Sequence, residues 1–276
     1  MLFPEEKYSL CGDQFLSIYY GDEGTLEENI FALAQNQAIR EAKIQGMMDS
    51  VVIASSILIQ YDPSETKGEN LIQQIKEIRE GVRKSQGKMR IQSALVSLPM
   101  FYDDPWTREC ARIHQVPPNL ETIAQFNGIA SIAGVIRIHS SATYWVRYVG
   151  GPGLVGLIPL WQERTLLAPK YEKPRAWTPS RTFGLGGHVT SYYPFEMPGG
   201  IQLLGRLPVT LFDPNRSHPA FEESPIICKI GYRIKFIPIT KEEYDSLERN
   251  FEKYVYDIRP DIFEYEMKGD EGVRGH

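Results

Sequence analysis

Two histidines and two arginines in the middle of the sequence are the residues best suited to chemistry. His139 and His188 have side chains that can transfer protons near neutral pH, and Arg175 and Arg206 have planar guanidinium groups suited to anions. They lie among glycines, which let a backbone approach a ligand closely. One interpretation is therefore a groove that binds a carboxylate, an amide or an acyl phosphate, with the arginines holding charge and a histidine moving a proton.

Hydroxyl-bearing residues accompany these four in a region rich in β-strand formers. Tyr144, Thr190 and Tyr193 are the main ones. A β-barrel must also satisfy its own buried polar atoms, and it does so with the same residue types. Residue type and spacing alone favour this structural interpretation over the functional one, and both remain open at this point.

Other catalytic and metal-binding patterns are missing from the sequence. No two of the five histidines are spaced as metal ligands, and Cys11, Cys110 and Cys228 form no Cys-x-x-Cys pair. The glycine runs fit neither a dinucleotide fold nor a phosphate-binding loop, and there is no Gly-x-Ser-x-Gly element. We expect no metal site, and cysteines that act as small apolar residues.

Composition narrows the class of protein further. The 276 residues carry a net charge of −5, with 42% hydrophobic and 11% aromatic residues, as expected of a globular chain. Residues 1–240 carry 24 acidic and 24 basic side chains, so the net charge resides in residues 241–276, with 11 acidic and 6 basic. Without a basic field, a signal sequence or a membrane-length apolar segment, we expect a cytoplasmic protein that binds neither nucleic acid nor membrane.

Hydrophobic periodicity predicts a small α+β domain at the start of the chain. Two short strands over 8–20 break at Gly12-Asp13, and an amphipathic helix over 26–45 stops at Gly46. A strand over 51–61, a helix over 71–82 before Gly87 and a strand over 91–98 stopped by Pro99 complete the pattern. This order fits a split βαβ domain over residues 1–95.

The remainder of the chain has a different pattern. Short helices are predicted over 119–126, with Asn119 as a possible N-cap, and over 131–138. Closely spaced strands from 144 to 239 indicate a barrel or a sandwich, which gives a second domain over residues 96–240. Thr240-x-x-Glu243 is a capping box and predicts a helix at the start of a third segment, 241–276, which continues as an acidic tail.

An ordered series of motifs carries a family resemblance over about residues 8–240. The motifs include Tyr61-Asp62-Pro63, Asn127-Gly128, His139-Ser140-Ser141-x-x-Tyr144, Pro174-Arg175-x-x-x-Pro179, Gly184-Leu-Gly-Gly187, Leu203-Leu-Gly-Arg206 and Leu211-Phe-Asp-Pro214. They resemble the allophanate hydrolase subunit 1 family. Members of that family include one of the 5-oxoprolinase subunits and a sporulation-kinase inhibitor, and the family forms half of the carboxyltransferase domain of urea carboxylase.

The resemblance implies a fold, a partner and a set of site residues. The fold would be a small α+β domain followed by a cyclophilin-like β-barrel, and the partner a subunit 2 protein with a related barrel. The substrate would be a lactam, an amide or a related carbonyl compound such as a ketone. ATP, or biotin carried by a partner, would serve the complex, and none is assigned to this chain. The expected catalytic residues are His139, Tyr144, Arg175 and His188, and the expected substrate-binding residues are Asn127, Thr190, Tyr193 and Arg206.

Departures from the family pattern support other interpretations. Gly150-Gly-Pro-Gly153 leads into Leu154-Val-Gly-Leu157 where the family has an aromatic segment, and His188-Val189 replaces a small residue and a glutamine. Since aromatic stacking and an amide hydrogen bond hold planar ureido or lactam groups, their loss predicts a different ligand or a scaffold role. A non-catalytic accessory or regulatory protein that binds its partner through the barrel is the main alternative. Prolyl isomerase activity would rest on fold analogy alone.

Overall fold

The computed structural model describes residues 2–84, 88–151, 153–161 and 164–266, without the side chains of 82–84 and 161. Gly87, Pro152, His276 and the end of the acidic tail therefore lie outside the described residues. The chain divides into two compact units, one formed by Met1–Ser93 with the described part of Asp261–His276 and the other by Ala94–Pro260.

The first unit contains a four-stranded sheet and two helices. Its strands and helices are β1 (Lys7–Cys11), β2 (Phe15–Tyr19), α1 (Leu26–Glu41), β3 (Met47–Ile53), β4 (Ser56–Tyr61) and α2 (Gly68–Lys84). The strand order is β1-β2-β4-β3, and each neighbouring pair is antiparallel. Leu16 and Ile18 of β2 and Ile57 and Ile59 of β4 are fully buried and alternate with more exposed residues, as a sheet with one covered face requires.

Two turns of this unit differ from the prediction. The single strand expected over 51–61 is a β3–β4 hairpin, in which Ala54 takes a positive φ of 52° and its carbonyl accepts a hydrogen bond from Asn29 Nδ2 at 2.6 Å. An Ala-Ser turn carries none of the usual glycine or asparagine signals, so the hairpin had no local signature. Helix α1 starts as predicted, on a Thr25–Glu28 capping box, but it ends at Glu41 rather than next to Gly46.

The second unit contains the remaining elements. They are β5 (Lys88–Tyr102), α3 (Pro105–Ile113), α4 (Asn119–Phe126), α5 (Ile132–Ser141), β6 (Thr143–Gly150), β7 (Leu154–Trp161), β8 (Thr182–Gly186), β9 (Val189–Tyr193), β10 (Gln202–Arg206), β11 (Arg233–Pro238), α6 (Lys241–Arg249) and β12 (Asp257–Glu266), in which β5 begins and β12 ends among residues of the first unit. The chain is thus an α+β protein with a barrel, as expected.

Seven of these strands close into a barrel. The order is β10-β8-β9-β7-β6-β11-β5, and β10 pairs again with β5. β11 runs parallel to β5, with Phe236 opposite Leu98, whereas Gly205 of β10 lies opposite Tyr102 in an antiparallel pair. Closure needs a glycine at 205, because a Cβ there would lie 2.4 Å from the carbonyl oxygen of Phe101.

The barrel interior is filled by side chains from most of its strands. Large rings contributed by β5, β6, β8, β9 and β11 are buried there, and α4 and α5 pack apolar residues against the same core. Helix α5 begins at the N-cap Ser131, whose hydroxyl accepts a hydrogen bond from the backbone of Gly134. Its last turn carries His139 into this core.

Other differences from the prediction concern β5, α3, α4 and the end of the chain. β5 continues through Pro99 to Tyr102, because a proline removes one donor but leaves its carbonyl available to the ladder. Asn119 is the first residue of α4 and not its N-cap. Helix α3 and strand β12 were not predicted, whereas the Thr240 capping box and the helix that follows it are confirmed. Among the described residues, no helix combines the length and apolar character that a bilayer crossing demands.

Candidate functional site

His139 lies at the centre of a hydrogen-bonded network inside the barrel. Its side chain is 0% exposed. Nδ1 lies 2.8 Å from the phenol oxygen of Tyr102, and Nε2 lies 3.1 Å from Oγ1 of Thr190. The imidazole packs against the rings of Tyr144 and Phe236, with centroids 4.8 and 5.0 Å away.

The charge state of His139 follows from this burial. Removal from water lowers its pKa from 6.5 to about 3. The ring is therefore neutral at pH 7, with one nitrogen donating and the other accepting. It can hold its neighbours in place, but it has no imidazolium proton to give to a substrate near neutral pH.

Tyr144 and Thr190 belong to the same interior network. The Tyr144 hydroxyl donates to the backbone carbonyl of His139 at 3.1 Å, and burial raises its pKa above the ordinary value of 10.0. Thr190 is fully buried on β9. The structure thus brings together three of the eight residues predicted from the sequence, in the dry interior of the barrel.

Arg175 and Tyr193 form a second cluster. Arg175 is 2% exposed, and its guanidinium lies 5.2 Å from the ring centroid of Tyr171 and makes a long 3.4 Å contact to Oγ1 of Thr178. Burial raises the pKa values of Tyr193 and Tyr171, and the positive charge of Arg175 lowers them. The backbone of Arg175 pairs with that of Gly199 through two hydrogen bonds of 2.9 and 3.2 Å.

The guanidinium of Arg175 has unused donors. Among the described residues neither Nε nor Nη1 has a hydrogen-bond partner, although both are buried, while contacts of the guanidinium with the hydroxyls of Tyr171 and Tyr193 lower the pKa values of those phenols. Among the described residues, no carboxylate forms an ion pair with it. A buried charge left in this state is costly, since it has lost water without gaining a counter-ion. An anion is the kind of group that could satisfy these donors.

Arg206 lies in a third environment. Its Nε donates to the carbonyl of Ser180 at 2.9 Å, and its guanidinium lies 4.7 Å from the ring centroid of Trp106. Asp104, the fully buried N-cap of α3, has its pKa raised to about 6 by burial, and Arg206 acts in the opposite direction. Arg206 is thus held by a carbonyl and an indole, with less spare hydrogen-bonding capacity than Arg175.

Asn127 and His188 lie apart from these groups. Asn127 Nδ2 donates to the carbonyls of Ile123 and Leu167, each at 2.7 Å, and Oδ1 accepts from the Leu167 amide at 3.0 Å. Its side chain thus fastens the loop before β8. His188 is exposed in the β8–β9 turn, where partial burial and then the nearby Arg147 lower its pKa.

Two tyrosines that the sequence reasoning missed connect to the predicted residues. Tyr102 bonds to His139, and Tyr171 packs its ring against Arg175 while its hydroxyl bonds to Gln202 Oε1 at 2.8 Å. Tyr102 ends a strand and Tyr171 lies in a loop, so neither stands within a motif. Tyr171 could have been identified from the sequence, because it stands three residues before the Pro174-Arg175 motif.

A cleft with a volume of about 230 Å³ opens between α3 and α4. Its walls are mainly apolar and come from Ala111, Val116, Pro118, Leu120 and Leu203, with Asp103, Arg108, Arg112 and Glu121 among the polar lining residues. The cleft does not include His139. Since that ring is sealed inside the barrel, the cleft is the better candidate for admitting a small ligand.

The described residues contain no group of three or more His, Cys, Asp or Glu side chains arranged to hold a metal ion. The candidate site is therefore the buried Arg175 cluster, and the cleft between α3 and α4 is a separate candidate.

Comparison with known proteins gives the family. The family model described as "Carboxyltransferase domain, subdomain C and D" matches residues 6–222. The chain belongs to this family. The resemblance inferred from the motifs is thereby confirmed.

Relatives extend over most of this chain. A 5-oxoprolinase subunit of Bacillus subtilis (strain 168) is 26% identical over 244 residues, which cover 85% of this chain and 93% of the relative. The urea amidolyase of Lachancea kluyveri is 25% identical over 280 residues, which cover 96% of this chain but 15% of that much longer protein.

A solved structure shares the fold. The urea carboxylase of Kluyveromyces lactis superposes with a TM-score of 0.82 at 23% identity, over 96% of this chain and 25% of that chain. At that identity the likeness shows the fold alone.

Proposed function

We propose that this chain is one component of a multisubunit, ATP-dependent enzyme that acts on a lactam, an amide or a related carbonyl compound together with a subunit 2 partner. Membership of the carboxyltransferase-domain family supports the proposal, and so does the relative of nearly the same length whose name makes it a subunit. ATP would supply the activation that a poorly electrophilic amide or an enolisable ketone needs.

The observation that carries the proposal is the buried guanidinium of Arg175, whose Nε and Nη1 have no partner among the described residues. Such a group stabilises negative charge on a bound molecule or intermediate more strongly than an exposed arginine does, because no water competes for it. Arg206, which contacts Trp106 of α3, would be a weaker second anion contact. Thr190 and Tyr193 would define the walls of the two clusters.

The remaining residues take different proposed roles. His139 and Tyr144 would hold the buried side chains of the barrel in place, since His139 is neutral at pH 7 and sealed from solvent. His188 would be the proton-transfer group, because its ring is exposed and partial burial lowers its pKa, which leaves the ring unprotonated and free to accept a proton near neutral pH. Asn127 would support the site by holding the loop at Leu167 rather than by touching substrate.

The test starts from the native complex. The chain is isolated with its copurifying partners, and ATP hydrolysis is measured with candidate lactams, amides and ketones. Arg175→Ala should reduce the coupled activity by about 100-fold, the order of magnitude of losing one charge-stabilising contact. Arg249→Ala, at an exposed arginine of α6, is the matched control and should leave activity unchanged. Full activity of the Arg175→Ala complex would show the catalytic assignment to be wrong.

A non-catalytic, protein-binding role is the second candidate. The specific observation in its favour is that both nitrogens of His139 already have partners inside the barrel, so this network has no visible need of a substrate. In that case the complex would need this chain in order to assemble, yet Arg175→Ala and His188→Ala would each retain full activity. Measuring assembly and activity on the same preparations separates the two candidates.

A further inference from the structure

Asn127 stands directly before Gly128, and none of the other six asparagines of the chain precedes a glycine. An asparagine in this position can lose its side-chain amide without an enzyme. Since glycine has no Cβ, its backbone nitrogen can approach the Cγ atom of the preceding side chain with little steric hindrance. Asn127 is therefore the asparagine of this chain that is best placed for spontaneous deamidation.

The reaction of Asn127 needs only water. The Gly128 nitrogen gives its proton to solvent hydroxide and forms a bond to Asn127 Cγ, while the Cγ–Nδ2 bond breaks and ammonia leaves with a proton taken from water. Water then opens the resulting five-membered imide at one of its two carbonyls. The products are aspartate and isoaspartate at position 127.

The fold keeps the two reacting groups apart. Asn127 has a ψ of 0°, which turns the Gly128 nitrogen toward the backbone nitrogen of Asn127 and away from its side chain. The Gly128 amide donates to the carbonyl of Gln125 at 3.1 Å, so its proton is held. The leaving Nδ2 is held as well, because it donates to the carbonyls of Ile123 and Leu167. Ring closure thus requires three hydrogen bonds to break.

Three contacts from a single loop fasten Asn127. The guanidinium of Arg164 donates to the Asn127 backbone carbonyl, and the backbone of Leu167 both accepts from Nδ2 and donates to Oδ1. The side chains of Arg164 and Leu167 are exposed, so water reaches this loop from outside. Opening of such a segment costs less than unfolding of the barrel, and it frees the Asn127 side chain.

We propose that Asn127 is a deamidation site that the loop at Leu167 keeps closed, and that its reaction makes the opening of this loop permanent. An aspartate or isoaspartate at 127 has no Nδ2 to donate to the carbonyl of Leu167. Its charge would lie against that oxygen, so the loop could not close again in the same way. The chain thus records how long this loop has been open, independently of any substrate.

The test follows deamidation of the full chain by peptide mass spectrometry, in buffer and in urea at pH 8. We expect conversion at Asn127 to be at least tenfold faster in urea than in the folded chain, and faster than at the other six asparagines. Isoaspartate should accompany aspartate at 127, because direct hydrolysis of the amide cannot form it. Equal rates in buffer and urea, or aspartate without isoaspartate, would overturn the proposal.

A loop variant separates local opening from unfolding of the barrel. Arg164→Ala removes one contact to Asn127 and should speed its conversion in the folded chain about fivefold, the factor expected from one hydrogen bond. Arg249→Ala, at an exposed arginine of α6, should leave the rate unchanged. Tryptophan fluorescence checks that both variants are folded in buffer. A folded Arg164→Ala chain that reacts at the rate of the unmodified sequence would overturn the role of the loop.

A refolding measurement needs no substitution. After timed incubation in urea, ion exchange separates chains that have gained the negative charge at 127 from those that have not. The converted chains should refold with a lower urea midpoint, and the unconverted chains of the same sample with the original one. The same midpoint in both fractions would show that conversion leaves the loop able to close, and would overturn the proposal.

Discussion

The Nδ1 atom of His139 lies 2.8 Å from the phenol oxygen of Tyr102, deep in the barrel. In a neutral imidazole one nitrogen accepts and the other donates, so Tyr102 and Thr190 can each complete one bond to the ring. A protonated ring would donate from both nitrogens, and both hydroxyls would then have to accept. The network is therefore built for an uncharged histidine.

Acid should destabilise the barrel through His139. Its pKa is about 3 in the folded chain and near 6.5 when unfolded, so below pH 6.5 the unfolded chain binds the extra proton and stability falls until about pH 3. Between pH 6.5 and 4.5 the loss should be about 2 kcal/mol. His139→Gln should be less stable at pH 8 but should lack this part of the pH dependence. Urea unfolding followed by tryptophan fluorescence tests this, because all four tryptophans lie between residues 106 and 177. The same slope in both proteins would contradict the prediction.

The opposing contribution of Asp104 does not obscure this comparison. Its pKa is raised to about 6 in the folded chain, so it adds stability as pH falls from 6 toward its unfolded value of 3.8. Since His139→Gln retains Asp104, that contribution cancels when the two pH profiles are subtracted.

Thr190→Val should destabilise the barrel although the two side chains have nearly the same shape. The change removes the partner of His139 Nε2 and leaves a buried polar nitrogen unsatisfied, at a cost of about 1–3 kcal/mol. Ser191→Ala, one residue further along β9 at a half-buried position, should cost less than about 0.5 kcal/mol. An equal loss of unfolding free energy in the two variants would mean that the Thr190–His139 hydrogen bond does not stabilise the barrel.

Asn127→Asp should loosen the loop at Leu167. An aspartate cannot donate to the carbonyls of Ile123 and Leu167, and its charge would face both oxygens. We expect a loss of about 3 kcal/mol in urea unfolding, because both donated bonds are lost while the acceptor of the Leu167 amide is retained. Gln125→Glu, exposed two residues earlier, gives the matched change of amide to carboxylate. Unchanged stability of Asn127→Asp would show that the Asn127 side chain does not hold this loop.

Gly205→Ala should prevent proper closure of the barrel. The added Cβ would lie 2.4 Å from the carbonyl oxygen of Phe101, and a backbone atom cannot move aside cheaply. We expect insoluble protein or a loss of more than about 3 kcal/mol. At Gly151 a Cβ would meet nothing within 4 Å, so Gly151→Ala should fold normally. A soluble Gly205→Ala protein with unchanged stability would refute the closure argument.

Arg175→Met should raise the free energy of unfolding. The change replaces a buried charge whose Nε and Nη1 lack partners among the described residues by an apolar chain of similar length, and replacing buried ionic groups with well-packed apolar ones is neutral to stabilising, by up to about 4 kcal/mol. Urea unfolding without added anions measures it. A less stable variant would mean that Tyr171 and Thr178 already compensate the guanidinium.

The sequence predicted elements whose ends carry local signals. The Thr240–Glu243 capping box, the Gly12-Asp13 hairpin and the Ser131 helix start are all present. Asp104-Pro105 is an equally good helix start, and it was overlooked because α3 is short and lies between better marked elements. β12 has no such signal, since an acidic, half-exposed strand resembles a solvated tail.

The site was less predictable than the fold. The motifs identified His139, Thr190 and Arg175 as candidates. They did not show that His139 and Thr190 would be sealed in a barrel while Arg175 kept free donors. That difference depends on which strands become neighbours, and on Tyr102 and Tyr171, which stand outside every motif. Spacing along a chain does not encode contacts between residues 37 or 51 positions apart.

The pairing of β10 with β5 has a consequence for how the chain reaches its native state. Gly205 and Tyr102 lie 103 positions apart in the sequence, and β11, which lies between β5 and β6 in the barrel, is synthesised after both. Contacts between such distant segments are slow to form, because loop entropy is lost before they are gained. A ribosome-bound chain that ends before Arg233 would expose β5 along the edge that β11 normally covers. Truncated products should therefore aggregate, and slower translation of the segment after β10 would prolong that vulnerable interval.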